Sequence, residues 1–139
     1  MPRVPDGEGV RVATLVVTAA VIEHDGRVLV TRRPRGVHLE GLWEFPGGKC
    51  GDGEPLERCL ARELREELDV DARIGSRIFS TTHRYEDRSV ELHFFVCELL
   101  GEPRAMLGQE MKWVARAELS SLEFPPADAA LIAKLRIEN

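Results

Sequence analysis

The chain has 139 residues, with 43% hydrophobic and 31% charged side chains and a formal net charge of -5 from 24 acidic and 19 basic groups. This size and balance predict one soluble domain with its own core and argue against a disordered or membrane-spanning chain. An acidic surface without a segregated basic run repels nucleic-acid backbone, so any anionic ligand has to be met locally, by a bound cation or a few placed arginines.

Residues 1–9, rich in Pro, Gly and acid, read as a flexible lead-in, and residues 10–139 as the single domain. No apolar signal core opens the chain, so a cytoplasmic location is expected. Val10 to Glu23 is rich in Val, Thr, Ala and Ile, as a strand buried on both faces would be. Asp25-Gly26 predicts a hairpin turn into a second strand from Val28 towards Arg33. Residues 34–53 read as loop, broken by the short apolar stretch Leu42-Trp43-Glu44-Phe45. A helix is predicted over Pro55–Leu68, with proline early, where its missing N–H is harmless.

Beyond Val70, strands are predicted over Arg73–Thr82 and Ser89–Leu99, joined by a polar turn at His83–Arg88. In the second strand Val90, Leu92, Phe94 and Val96 alternate with Glu91, His93, Phe95 and Cys97. Lys112-Trp113-Val114 is a further short strand, and residues 127–137 form an amphipathic helix with Ala130, Leu131, Lys134 and Leu135 at helical spacing. The three cysteines, Cys50, Cys59 and Cys97, show neither a disulfide framework nor a zinc spacing and read as reduced thiols.

The chemistry concentrates on the first helix. Leu56, Leu60, Leu64 and Leu68 make one stripe, Arg58 and Arg65 lie on the far side, and Glu63, Glu66 and Glu67 flank the stripe. Acid runs on helices are usually solvated and paired to Arg at i±4, as Arg62 and Glu66 are placed to be. Glu63 and Glu67, however, repel each other on a partly buried flank, past mid-helix, where the macrodipole does not help negative charge. A small divalent cation with oxygen ligands resolves that conflict. The EF-hand spacing of a calcium loop is absent. Upstream, Gly47-Gly48-Lys49 lets backbone approach a phosphate or lend a carbonyl to a metal.

Gly48, five residues, Glu54, seven residues, then Arg62-Glu63-Leu64-Arg65-Glu66-Glu67-Leu68-Asp69-Val70 resembles the Nudix box, with Asp69 where that family has Gly. Val28–Arg33, Trp43–Lys49 and Phe124-Pro125-Pro126-Ala127-Asp128 extend the resemblance to the MutT branch. The resemblance implies an α/β/α sandwich around a mixed sheet and a Mg2+-dependent hydrolase, with Mn2+ as a substitute ion. It also implies release of pyrophosphate from a nucleoside triphosphate, notably 8-oxo-dGTP, by a monomer or homodimer with no polymer or membrane partner. It implies that Glu63, Glu66, Glu67 and the Gly47 carbonyl hold the metal, and that Arg62 orients Glu63 or Glu54. Glu63 is the chosen proton acceptor. Arg33, His38, Phe45, Gly48, Lys49, Arg88 and Asp128 are the expected substrate contacts, with Trp43, Tyr85 and Asp87 as weaker candidates.

Two positions depart from the branch. A Glu expected ahead of the late tryptophan is replaced by Leu107, with Glu110 nearer Trp113. Asp128 stands where bacterial MutT has Asn. An ionised Asp only accepts, which suits the N4 amino group of cytosine and resembles cytidine-triphosphate pyrophosphohydrolases. A protonated Asp can donate to an oxidised purine. The longer MutT-like resemblance puts 8-oxo-dGTP first and CTP or dCTP derivatives second; a non-catalytic nucleotide-binding module is the alternative of another class.

Overall fold

Strand β1 (Ala13–His24) is the axis of the fold. The computed structural model describes residues 13–37 and 40–138. Along one edge β1 runs parallel to β6 (Arg88–Leu99), from Ala13 opposite Arg88 to Ile22 opposite Cys97. Its other edge takes β4 (Gly47–Lys49) antiparallel at Val17–Ala19, and then β2 (Arg27–Arg32) at Glu23 and His24. β2 in turn pairs with β3 (Trp43–Glu44) and β7 (Glu110–Ala115), while β5 (Ala72–Arg84) closes the far side against β6. Among the described residues the result is one mixed seven-stranded sheet.

The period of two along each strand sends neighbouring residues to opposite faces. Ala19, Val21, Val28, Val30 and Phe94 pack under α2 (Ala129–Ile137) and the 3-10 segment Arg116–Ser121, against Leu119, Leu131, Ile132 and Leu135. Ala20, Ile22, Leu29, Phe95 and Cys97 pack under α1 (Leu56–Leu68), against Leu60, Leu64 and Leu68. Two cores with one sheet between them make the expected α/β/α sandwich. No described helix is long and apolar enough to cross a membrane.

Several details differ from the sequence-based expectations. Gly47–Lys49, read as loop, is a strand. A Cβ on Gly47 would lie 2.0 Å from the Thr18 carbonyl oxygen, so the glycine that suggested a loop is what lets this backbone approach β1. Pro55 is the N-cap of α1, one residue before the helix. Asp69 takes the left-handed conformation expected of the family glycine (φ 52°), and its N–H closes on the Arg65 carbonyl at 3.1 Å. In α2 the buried set is Leu131, Ile132 and Leu135, whereas Ala130 is exposed, and the chain enters the helix through a 3-10 turn at Pro126–Asp128. The expected lead-in lies outside the described residues.

The cysteine reading is corrected more sharply. Cys97 is a buried free thiol, but Cys50 and Cys59 form a disulfide, with Cα atoms 5.3 Å apart. The spacing along the chain gave no sign of this. The pairing arises because β4 delivers Cys50 directly onto the first turns of α1.

Leu64 is fully buried at the centre of the α1 stripe. Leu64→Ala should therefore cost about 2–5 kcal/mol in urea unfolding, with the midpoint moving and the slope unchanged.

Candidate active site

Arg62 ties the acidic turn of α1 to the loop before it. Its Nε and Nη2 donate to the two Glu54 carboxylate oxygens at 2.9 and 3.0 Å, a bidentate pair. Nη2 also donates to the Lys49 carbonyl at 3.1 Å, and Nη1 donates to Glu63 at 3.0 Å and to Glu66 at 3.2 Å. The sequence left Glu54 and Glu63 as alternative partners; Arg62 holds both. Glu54 also accepts the Gly51 N–H at 2.8 Å. Hydrogen bonds from Arg62 and then Gly51 pull its carboxyl down to about 2. The hydrogen bonds to Glu54, then Glu66 and Glu63, push the Arg62 guanidinium further up from its ordinary value.

Beside this knot opens a cavity of about 530 Å³. Glu63 and Glu67 project into it, next to Gly47, Gly48 and Lys49. The Glu63 carboxylate lies so close over the loop that a Cβ on Gly48 would sit 2.2 Å from its Oε1. Gly47 N–H donates to Glu67 at 3.4 Å. Burial, then repulsion from Glu44 and Glu63, raises Glu67 to about 8, and burial also raises Glu63. Half-buried carboxylates held together at this energetic cost are all-oxygen donors suited to a hard divalent cation. Glu66 is more exposed, does not line the cavity and faces Arg62.

The sequence missed Glu44. In the two-residue strand β3 it alternates with Trp43, so Trp43 enters the core and Glu44 enters the cavity. Burial raises its carboxyl, opposed by Arg33, whose Nη1 lies 3.4 Å away. An acid beside the apolar stretch and the double glycine was the available signal. Trp43 does not line the cavity; Arg32 and Lys112 lie over its ring at 5.6 and 5.8 Å.

Arg33, Phe45, Lys49, Arg88 and Asp128 all line the cavity, as does Tyr85, whereas Asp87 does not. His38 lies outside the described residues. Leu107 is exposed and Glu110 pairs with Arg32 at 3.5 Å, so neither reaches the cavity wall. Their loop is instead fastened to the acidic turn, with Met106 N–H and Gln109 Nε2 both donating to the Glu67 carbonyl. Asp128 is only 6% exposed and makes no capping bond to α2. Phe45, Phe94, Val90 and Leu92 share its cavity. Burial, then the charge of Glu44, raises its carboxyl to about 7.

A carboxylate-lined cavity over a double-glycine strand, on this sandwich, defines a Nudix hydrolase, and the NUDIX domain profile matches residues 17–134: the chain belongs to that family. Within it the chain is MutT-like. It is 37% identical to the CTP pyrophosphohydrolase of Escherichia coli K12, over 84% of this chain and 87% of that one. It is 33% identical to the 8-oxo-dGTP diphosphatase of the same organism, over 88% and 96%. The solution structure of the E. coli ORF135 protein superposes with a TM-score of 0.79 at 34% identity, covering 88% of each chain. The MutT protein of Methanosarcina mazei Go1 shares the fold, with a TM-score of 0.83 at 21% identity over 94% and 99%. Nudix hydrolases work with a divalent metal and a nucleotide substrate is consistent with the family.

Two outcomes follow from this geometry. Gly48→Ala drives a methyl into the Glu63 carboxylate, and hydrolysis should fall about 100-fold in steady-state assays while circular dichroism stays unchanged. Asp128 keeps its proton to about 7 when folded, against an ordinary value of 3.8, so the folded state loses stability as pH rises between those values. Asp128→Asn should thus stabilise the protein by on the order of 2 kcal/mol at pH 8 and by nearly nothing at pH 4 in thermal unfolding.

Proposed function

We propose that the chain is a Mg2+-dependent nucleoside triphosphate pyrophosphohydrolase, converting a triphosphate and water to the monophosphate and pyrophosphate, with 8-oxo-dGTP as preferred substrate. The observation that carries this reading is that a single cavity contains both the Glu63–Glu67 pair over Gly47-Gly48 and the buried Asp128 among aromatic and aliphatic side chains. A triphosphate tail and a base need those two surroundings.

Glu63, Glu67 and the Gly47 carbonyl would hold the ion, with Glu66 completing the set from the same turn of α1. The ion supplies charge neutralisation on the phosphates and a more acidic water. Arg62 keeps the Glu63 carboxylate turned towards the loop through its 3.0 Å bond. Glu63, raised by burial, is the group that accepts the proton of the attacking water. Arg33, Lys49 and Arg88 bring positive charge to the triphosphate, which an acidic protein otherwise repels. With Leu107 and Glu110 outside the cavity wall, Glu44 is the additional carboxylate facing Glu67. Phe45 offers a face for the base to stack on.

Asp128 also supports the second reading. Protonated, it donates to the O6 acceptor of an oxidised guanine; ionised, it accepts from the cytosine amino group. With its carboxyl at about 7, both forms are populated near neutrality. The test compares kcat/KM for 8-oxo-dGTP, dGTP, CTP and 5-methyl-dCTP from pH 6 to 9, with chelator controls. The expected result is a lead for 8-oxo-dGTP that narrows as pH rises, relative to cytosine nucleotides. A cytosine preference throughout reverses the ranking, and no metal-dependent release of pyrophosphate from any of them removes the proposal.

A further inference from the structure

A second group of ligating side chains lies beside the active site but outside its cavity. The sulfurs of Cys50 and Cys59 and a carboxylate oxygen of Glu54 all lie within 4.8 Å of one another. Thr18, fully buried, directs its hydroxyl at the same point, 3.3 Å from Cys59 Sγ and 3.9 Å from Cys50 Sγ. A disulfide has no S–H, so the hydroxyl is the donor, and it serves a thiolate better than a disulfide because charge strengthens the bond. Cys59 is closed off, but Cys50 and Glu54 line a cavity of about 440 Å³ shared with Asp52, Glu91 and His93. A small ion or a thiol reagent therefore has a route to the pair.

We propose that Cys50, Cys59 and Glu54 form a redox-gated site for a thiophilic divalent cation such as Zn2+. In the disulfide form the site is shut. A dithiol reductant opens it: the S–S bond takes two electrons and two protons to give two thiols, and the reductant leaves as its own disulfide. Metal binding then displaces both thiol protons, leaving two thiolates and one carboxylate as ligands with a fourth position for water. Around a tetrahedral ion with metal–sulfur bonds of about 2.3 Å, the sulfurs need a separation of roughly 3.8 Å, a displacement side-chain rotation can supply from the present backbone. Backbone anchors hold both cysteines in place without the S–S bond: Cys50 N–H donates to the Val16 carbonyl and Cys59 N–H to the Pro55 carbonyl, at 2.8 and 2.9 Å.

The consequence reaches the active site through Glu54. Its carboxylate is the bidentate partner of Arg62, so recruitment to the cation loosens the guanidinium that also holds Glu63 and Glu66. The site is thus inhibitory when filled, and its occupancy depends on the thiol state.

The experiment titrates Cd2+ into the full chain in saturating Mg2+, before and after dithiol treatment and removal of the reductant. The readout is the thiolate-to-cadmium charge-transfer absorption, which does not depend on hydrolysis or on the substrate being correctly assigned. Reduced protein should give a band saturating at one equivalent and oxidised protein none. Cys50→Ser and Cys59→Ala should bind at least about tenfold more weakly. Zn2+ should inhibit reduced wild type and leave reduced Cys50→Ser unaffected. An equal band in Cys50→Ser, which places the metal on Cys97 or elsewhere, overturns the proposal. So does reduced protein with no stoichiometric band, or reduced protein that has lost its far-ultraviolet circular dichroism.

Discussion

One guanidinium holds the functional part of this molecule together. Arg62 gathers Glu54 from the loop, Glu63 and Glu66 from its own helix, and the carbonyl of Lys49 from β4. Remove that positive charge and acids within two turns of one helix are left to repel one another at the edge of a low-dielectric core. The pairing is partly buried and bidentate, so it is worth more than an exposed ion pair and sets geometry as well as charge. Glu54 and Arg62 are both stabilised in their ionised forms, while Glu63 and Glu67 are pushed towards neutrality. The site thereby holds firmly charged groups that act as scaffold next to readily titrated ones that face the cavity.

The sheet supports this arrangement from the other side. β1 carries β4 on one edge, and only the missing Cβ of Gly47 allows the two backbones to meet at Thr18 and Ala19. Gly48 then passes beneath the Glu63 carboxylate, again in space that a side chain would fill. The two glycines therefore serve different contacts, one with the sheet and one with α1. The leucine stripe of α1 anchors the helix so that its acidic flank cannot rotate away. Stability and chemistry are linked at this point, since the leucines bury one face and in doing so strain the charges on the next.

The other half of the cavity follows a different logic. Asp128 is placed by a 3-10 turn between two prolines and the start of α2, in surroundings that favour its neutral form. A carboxyl raised to about 7 can present either a donor or an acceptor to whatever enters the cavity. That ambiguity parallels the two kinds of relative the chain resembles, one named for CTP and others for 8-oxo-dGTP.

Short-range patterns fixed much of this in advance. The leucine stripe, the flanking acids, the spacing from Gly48 to Glu67 and the alternation in β6 are local properties, and each reappears in the structure. Helix and strand periods are set by the backbone, so a sequence displays them directly. What the chain could not display alone were contacts closed by the sheet: Cys50 meeting Cys59, Glu44 turning into the cavity while Trp43 turns into the core, Glu66 lying outside the wall that Glu63 and Glu67 line, and β4 forming from a glycine run. Those outcomes depend on which strand lies beside β1 and at what register. Distance along the chain carries no record of either.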